Sequence, residues 1–374
     1  MYLQRLTINN FKNYEEAELS FSGKINCFVG NNGVGKTNLL DAIHYLSVTK
    51  SFFNLIDNQN IRHDAPFFAI HGTYITGGET QDLVSCIQQR NQKKQLKINK
   101  KDYDRMADHI GRFPVVMISP SDRDLINDGS DLRRKFLDGV ISQFDRAYLD
   151  DLIAYNKALM QRNALLKQFE EMRFFDSTLL EIWDHQLSQT GMRIYDKRKS
   201  FLEGFVPMFS HYFSFISNSR EKVDVVYETQ LGELDMEGLL AANIDRDRSA
   251  RYTTVGIHKD DLDFRIDTYP VKKFGSQGQQ KSFVIAIKLA QFHYTRQVKG
   301  SKPILLLDDI FDKLDGLRVE QIIRLVGENG FGQVFITDTQ RDRIAGIFYK
   351  IEIDHKIFEF VDGNVNESTE TAHS

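Results

Sequence analysis

Cysteine is nearly missing from this chain. The two present, Cys27 and Cys86, are too few for a disulfide framework and stand at no metal-ligand spacing. Long apolar runs are missing too, and nothing approaches the roughly 20 residues that a membrane-spanning helix needs. The opening residues, Met1-Tyr2-Leu3-Gln4-Arg5-Leu6, carry no signal-peptide pattern. There is no excess of positive charge. Lys and Arg number 48 against 52 Asp and Glu, so nucleic acid would have to be held by a local basic patch. No segment repeats. These absences predict a soluble, cytoplasmic protein with no membrane partner. Its 374 residues, 41% of them apolar, suffice for two or three lobes with proper cores.

What is present is a complete G-x-x-x-x-G-K-S/T loop: Gly30, Asn31, Asn32, Gly33, Val34, Gly35, Lys36 and Thr37. Residues 25–29 before it read as a buried strand, and residues 38–46 after it repeat apolar side chains at helical spacing. That strand–loop–helix context is what a phosphate loop requires. Glycines let backbone N–H groups turn toward the phosphates, and the helix adds its positive N-terminal end. Lys36 is expected to reach the outer phosphates and the Thr37 hydroxyl to ligate Mg²⁺, so the stretch predicts ATP or GTP binding.

A second element completes such a site. Residues 304–307 form a wholly apolar strand that ends in Asp308 and Asp309. Asp308 is expected to hold Mg²⁺ and Asp309 to face the attacking water as general base or orienter. A third element, Ser276, Gln277, Gly278, Gln279, Gln280, opens a strong helix. By itself it reads as an N-cap with a flexible loop. Hydroxyl, free N–H groups and helix dipole together also make a second anion-binding surface, which suits completion of another subunit's site.

Elsewhere, residues 3–11 and 16–21 read as paired strands, and residues 67–98 stay β-like. Residues 93–101 are basic, either a lysine-protected sheet edge or a phosphate-backbone contact. Residues 115–118 form a buried strand. Residues 144–171 and 177–213 are long helices, expected to lie antiparallel. Residues 223–227 and 262–266 are short strands expected to return to the first lobe, residues 333–337 another strand, and residues 364–374 a disordered tail. Trp183 is expected in the core, and His258, without a second ligand nearby, in a structural or nucleotide-sensing role.

Taken together, these motifs resemble the RecF family, bacterial recombinational-repair proteins of the SMC-like group of ABC-type head ATPases. The stretch from Gly30 to Thr37 resembles the family's Walker A, Ser276-Gln277-Gly278-Gln279-Gln280 its signature, and Asp308-Asp309 its Walker B. Asp312-Lys313-Leu314-Asp315 stands at the D-loop and Thr337-Asp338-Thr339 where many ABC proteins carry a switch histidine. The likeness covers nearly the whole chain. Asn10-Phe11-Lys12-Asn13-Tyr14 is similar to the family's NFRNY, Asn38-Leu39-Leu40-Asp41-Ala42 to NLLEA, and Gly256-Ile257-His258-Lys259-Asp260-Asp261-Leu262 to GPHRDDL. Gly129-Ser130-Asp131-Leu132-Arg133-Arg134 opens a stretch similar to GSPxxRRxFLD. Lys12, Lys259, Asp41, Asp131 and Asp312-Lys313 depart from these patterns.

The resemblance implies an α/β fold, a P-loop NTPase of ABC type with an inserted α-helical lobe. The expected bounds are 1–120 and 250–363 for the ATPase lobe and 121–249 for the insertion. It also implies a slow ATPase using ATP and Mg²⁺, with Lys36 and Asp309 catalytic and Ser276, Gln277, Gly278 and Gln279 acting in trans. The ATP-bound homodimer would bind DNA at single-strand gaps or junctions and help mediator proteins load recombinase. Candidate DNA contacts are Lys93, Lys94, Lys97, Lys100, Lys101, Arg133 and Arg134. An ABC-type component of a transporter or defence system is the alternative, and a small-molecule kinase a third reading.

Overall fold

The structure, a computed structural model, describes residues 1–78, 80–217, 221–310, 319, 321–322, 325, 330–341, 354–361 and 364–368. Its chain forms two compact units. The first comprises Met1–Asp122, Phe215–Ser217 and Lys288–Ser374, and the second Arg123–Ser214 and Asn218–Ile287.

The chain begins with β1 (Tyr2–Phe11), β2 (Tyr14–Ser20), β3 (Ile25–Gly30), α1 (Lys36–Val48), β4 (Phe67–Thr76), β5 (Thr80–Gln89), β6 (Gln95–Ile98), β7 (Lys101–Asp102) and β8 (Val115–Ile118). The second unit contributes α2 (Asp124–Asn127), α3 (Ser130–Ser142), α4 (Arg146–Met172), α5 (Thr178–Ser217), β9 (Val223–Glu228), α6 (Met236–Ala242), α7 (Ile244–Ala250), β10 (Asp261–Ile266), β11 (Tyr269–Pro270) and α8 (Val271–Phe274). There follow α9 (Gln277–Lys299), within which the division between units falls, then β12 (Ile304–Leu307), β13 (Val334–Asp338), β14 (His355–Val361) and β15 (Asn364–Ser368).

Two six-stranded sheets build the first unit. One is an antiparallel meander in the order β2-β1-β4-β5-β6-β7. The basic 93–101 stretch supplies its edge, where Asn99 and Lys100, both at positive φ, make the tight turn between β6 and β7. The other has the order β15-β14-β3-β13-β12-β8 and is parallel except for the β14–β15 pair. Parallel strands are covered on both faces, which explains why β8 and β12 are apolar at every position and buried throughout. Phe28, Phe335 and Phe358 pack with Phe21 in the core, ring centroids 4.9–6.1 Å apart.

In the second unit α4 and α5 form an antiparallel hairpin, as expected. Asp145 meets Lys197, Asp151 meets Arg193, Arg162 meets Asp184 and Leu166 packs with Leu180, each partner stepping back as the other advances. The Asp145 carboxylate caps α4 by accepting from Tyr148 N at 2.9 Å. α5 continues unbroken through Gly191, Gly204 and Pro207 to 40 residues. Among the described residues no helix is long and apolar enough to cross a membrane.

The structure departs from expectation in two places. β9 and β10 do not return to the first lobe. They pair with each other, with β11 beyond, in a three-stranded antiparallel sheet of the second unit. Only alternate residues of β10, Leu262, Phe264 and Ile266, are buried, a pattern that suits a small antiparallel sheet rather than a doubly covered parallel one. The second unit accordingly runs on to Ile287 rather than ending at 249. Second, the expected disordered tail begins with a strand, since Asn364–Ser368 pairs antiparallel with β14. The rest of the tail lies outside the described residues.

Candidate nucleotide site

The phosphate loop leaves the C-terminal end of β3, between β14 and β13, and opens α1 at Lys36. Two of its glycines are demanded by their surroundings. Gly30 (φ 151°) lies where a Cβ would come within 2.8 Å of the Phe360 carbonyl on β14. Gly35 (φ 111°) lies where one would meet Asn13 Nδ2 at 2.6 Å and the Tyr14 hydroxyl at 2.9 Å. No side chain caps α1 at Gly35, so its first-turn N–H groups face an anion unobstructed. Lys36 Nζ curls back to donate to Gly30 O and Asn31 O, both at 2.8 Å.

β13 lies between β3 and β12, so the ends of all three strands converge at one edge. There Thr37 Oγ1 donates to Asp308 Oδ1 at 2.8 Å, joining residues 271 positions apart. Thr337, at the end of β13, ties the second half together. Its hydroxyl donates to Asp308 Oδ1 at 3.0 Å and accepts from the Asp309 backbone N–H at 2.8 Å. Asp309 adopts a left-handed backbone (φ 44°), uncommon outside glycine and a frequent mark of functional sites. Burial raises the Asp308 pKa above the ordinary carboxylate value, while the two threonine hydroxyls oppose that shift. Burial likewise lowers the Lys36 pKa against the pull of Asp309, Asp308 and Asp338.

The Thr37 hydroxyl and the Asp308 carboxylate are a hard oxygen pair that fits Mg²⁺, which takes few protein ligands when nucleotide phosphates supply the others. Among the described residues no group of three or more His, Cys, Asp and Glu could hold a metal by itself.

The loop is braced by the stretch after β1. Asn13 Nδ2 reaches Val34 O at 3.5 Å, Tyr14 OH donates to Gly35 O at 3.0 Å, and Asn38 Nδ2 donates to Asn13 Oδ1 at 2.7 Å. Lys12 pairs with the fully buried Asp41 of α1 at 2.5 Å, and Asp41 also accepts from Ser51 Oγ and Phe52 N. Spacing in the sequence does not reveal these roles for Asn13, Tyr14 and Thr337. They follow only from the pairing of strands far apart in the chain.

In the second unit, Ser276 and Gln279 form a reciprocal capping box. Ser276 N donates to Gln279 Oε1 at 2.7 Å, and Gln279 N donates to Ser276 Oγ at 3.2 Å. Ser276 and Gln277 are exposed and Gly278 is half-buried. Asp312-Lys313-Leu314-Asp315 lies outside the described residues.

The candidate DNA contacts separate into two groups. Lys93, Lys100 and Lys101 are exposed. Lys97 is half-buried, 3.4 Å from Asp102. Two others are spoken for, which corrects their reading as phosphate contacts. Lys94 pairs with Asp57 at 2.9 Å, hydrogen-bonds Thr49 O and lies over the Tyr45 ring, its side chain 5% exposed. Arg133 grips both Asp261 oxygens at 2.6 and 2.8 Å. Burial works against the Asp261 carboxylate, but Arg133 and the Leu262 N–H hold its pKa below the usual range. Arg134 donates to Asp260 O at 2.6 Å. His258 accepts from Tyr155 OH and faces Thr253 O, and Trp183 is only half-buried.

The chain is similar to known proteins over nearly its whole length. The model of the RecF/RecN/SMC N terminal domain matches residues 2–353. The chain is 50% identical over 373 residues to a DNA replication and repair protein RecF of Phocaeicola vulgatus, covering 100% of both. It is 52% identical to that of Flavobacterium johnsoniae over 96% of this chain and 99% of the relative. A solved structure of the recombination mediator protein RecF with ATP, of the RecFOR pathway, superposes with a TM-score of 0.89 at 30% identity, covering 98% of each chain. The Smc head domain of Pyrococcus furiosus, at 15% identity and a TM-score of 0.58, shares the fold.

Proposed function

The chain belongs to the RecF family, and from that premise we propose that it is a DNA replication and repair protein that works as an ATP-switched clamp. ATP binds at the loop from Gly30 to Thr37, and the site hydrolyses it slowly. A single observation carries the reading: the Thr37 hydroxyl and the Asp308 carboxylate, 271 positions apart in the chain, meet at 2.8 Å with Thr337 beside them.

Lys36 leaves the Gly30 and Asn31 carbonyls for the β- and γ-phosphates, which better offset its buried charge. Thr37 and Asp308 would hold Mg²⁺, which would supply charge neutralisation at the phosphates. Asp309, its backbone fixed by Thr337, orients the attacking water. The signature from Ser276 to Gln279 meets the γ-phosphate of a second copy, exchanging its internal capping box for the anion, so that ATP closes a homodimer and hydrolysis opens it. The closed dimer binds DNA at single-strand gaps, where mediator proteins load recombinase. Lys93, Lys97, Lys100, Lys101 and Arg134 remain as candidate contacts.

Light scattering with ATP and Mg²⁺ tests the switch. Asp309→Asn is expected to dimerise and stay dimeric, and Ser276→Arg to bind ATP yet remain monomeric. Normal dimerisation by Ser276→Arg would refute the trans arrangement.

A further inference from the structure

Just ahead of the signature, the second unit exposes two large aromatic side chains: Tyr269 is 60% and Phe274 66% exposed, their ring centroids 5.4 Å apart. The backbone beneath them is rigid. Gly275 N donates to Val271 O at 2.9 Å, and a Cβ on Gly275 would come within 2.7 Å of that same carbonyl. The buried Gln280 side chain reaches Val271 O and Gly275 O, both at 3.3 Å, while Arg123 donates to its Oε1 at 3.4 Å. Helix α8, Gly275 and the start of α9 therefore form one fixed corner. Lys272 and Lys273 are exposed on it; of the carboxylates of the same cleft, Asp261 and Asp263 are taken by Arg133 and Arg265, and Glu228 is exposed.

We infer that Tyr269 and Phe274, with Lys272 and Lys273, form a docking ledge for a second copy of this chain. This rests on the proposed trans action of the signature. Phe274 is two residues from Ser276, at most about 7 Å of extended chain, so whatever surface Ser276 reaches is presented to Phe274 as well. Charge favours the same occupant. At the edge of the ATPase sheet Asp308 and Asp338 are buried and Asp309 is half-buried, so the negative charge presented there is that of Asp309 and of a bound triphosphate, and the ledge answers with two lysines. Rigid aromatics lose little conformational entropy on docking, and such rings are the groups on which interfaces concentrate their energy. The ledge thus supplies apolar grip beside a contact that would otherwise consist of one hydroxyl and a few N–H groups on a phosphate.

Analytical ultracentrifugation of the Asp309→Asn protein with ATP and Mg²⁺ tests this. Phe274→Ala is expected to weaken the dimer about tenfold or more. ATP affinity at protein concentrations below dimerisation stays unchanged, and Phe274→Trp retains the dimer. A Phe274→Ala dimer as tight as its parent overturns the ledge. So does an intact dimer with weakened DNA binding, which would assign the rings to nucleic acid. Ser276→Arg, measured alongside, separates the two ideas. If it blocks dimerisation while Phe274→Ala does not, only the ledge is wrong. If it also dimerises, or the parent fails to, the trans reading falls and the ledge with it.

Discussion

The two units bury charge in opposite ways. In the second, Arg198 and Arg162 are both essentially inaccessible; every guanidinium nitrogen of Arg198 is bonded, and Arg162 is held through Nε and Nη1 while its Nη2 has no partner among the described residues. Arg198 Nη1 donates to Asp260 Oδ2 at 3.0 Å and Ile257 O at 2.9 Å, and Nη2 to Asp138 Oδ1 at 2.8 Å. Arg162 reaches Asp247 at 2.6 Å and Thr253 Oγ1 at 2.9 Å, besides Asp184. At the nucleotide site, Lys36 donates to two backbone carbonyls, and burial, with a smaller push from the Asp309 charge, moves Asp308 toward its neutral form. Saturated buried ions serve a fixed shape, because removing one partner strands the other in a poorly solvating interior. Buried ions with exchangeable partners serve a ligand.

The most damaging way to break this contrast is Arg198→Leu. It leaves Asp260 buried without its counter-ion and is expected to cost about 3–5 kcal/mol of unfolding free energy, read from urea denaturation. Lys36→Ala is the matched experiment in the other unit. ATP affinity is expected to fall more than about 100-fold, roughly 2.7 kcal/mol, with little change in urea stability. A nucleotide-free Lys36→Ala protein as unstable as Arg198→Leu would erase the distinction.

The sequence already reveals the exchangeable site, because each half is contiguous: a phosphate loop between strand and helix, and an apolar strand ending in Asp308-Asp309. The saturated network is not legible that way. Asp260 is visible as part of a motif, but nothing local says that it is held by Arg198, 62 residues away, and by Tyr227. Lys94 and Arg133 fail as phosphate contacts for a related reason. A basic residue in a charged stretch looks solvated until Asp57 or Asp261 is brought against it by tertiary folding. The strands β9 and β10 mislead because a short apolar run does not say which sheet it joins.

A smaller effect compares one buried histidine from each unit. His109 Nε2 donates to Leu46 O and its Nδ1 accepts from Tyr103 OH, and His258 Nε2 donates to Thr253 O while its Nδ1 accepts from Tyr155 OH. Burial lowers both to about 4. At His258 the Thr253 carbonyl opposes that shift, and Lys259 and Arg134 add to it. As pH falls from about 6.5 toward 4, the unfolded chain takes up protons that the folded one refuses, so stability present above 6.5 is lost across that window. At pH 5 each histidine is expected to cost about 1–2 kcal/mol relative to pH 7. His258→Gln is expected to flatten the slope of urea stability against pH by about one proton. An unchanged slope would mean that His258 is protonated in the folded protein.

The smallest expected effect lies at Lys12 and Asp41, and it decides what governs the contrast. Their ion pair sits in the first unit beside the phosphate loop, yet it is saturated like those of the second, for Asp41 also binds Ser51 Oγ at 2.6 Å and Phe52 N at 2.7 Å. The resemblance drawn from the sequence implies Arg and Glu at positions 12 and 41, and the structure shows the Lys12 and Asp41 side chains facing each other. If saturation rather than location sets the behaviour, the pair is a structural brace whose lengths are matched. Lys12→Arg and Asp41→Glu are then each expected to cost about 0.5–1.5 kcal/mol. The double variant is expected to lose at least about 0.5 kcal/mol less than their sum, and ATP affinity to change little. Strict additivity would show that each length is set by other neighbours, Phe53 beneath Lys12 or the Ser51 turn at Asp41. A large loss of ATP affinity with stability intact would place the pair in the nucleotide site, and location, not saturation, would then be what separates the two kinds of buried charge.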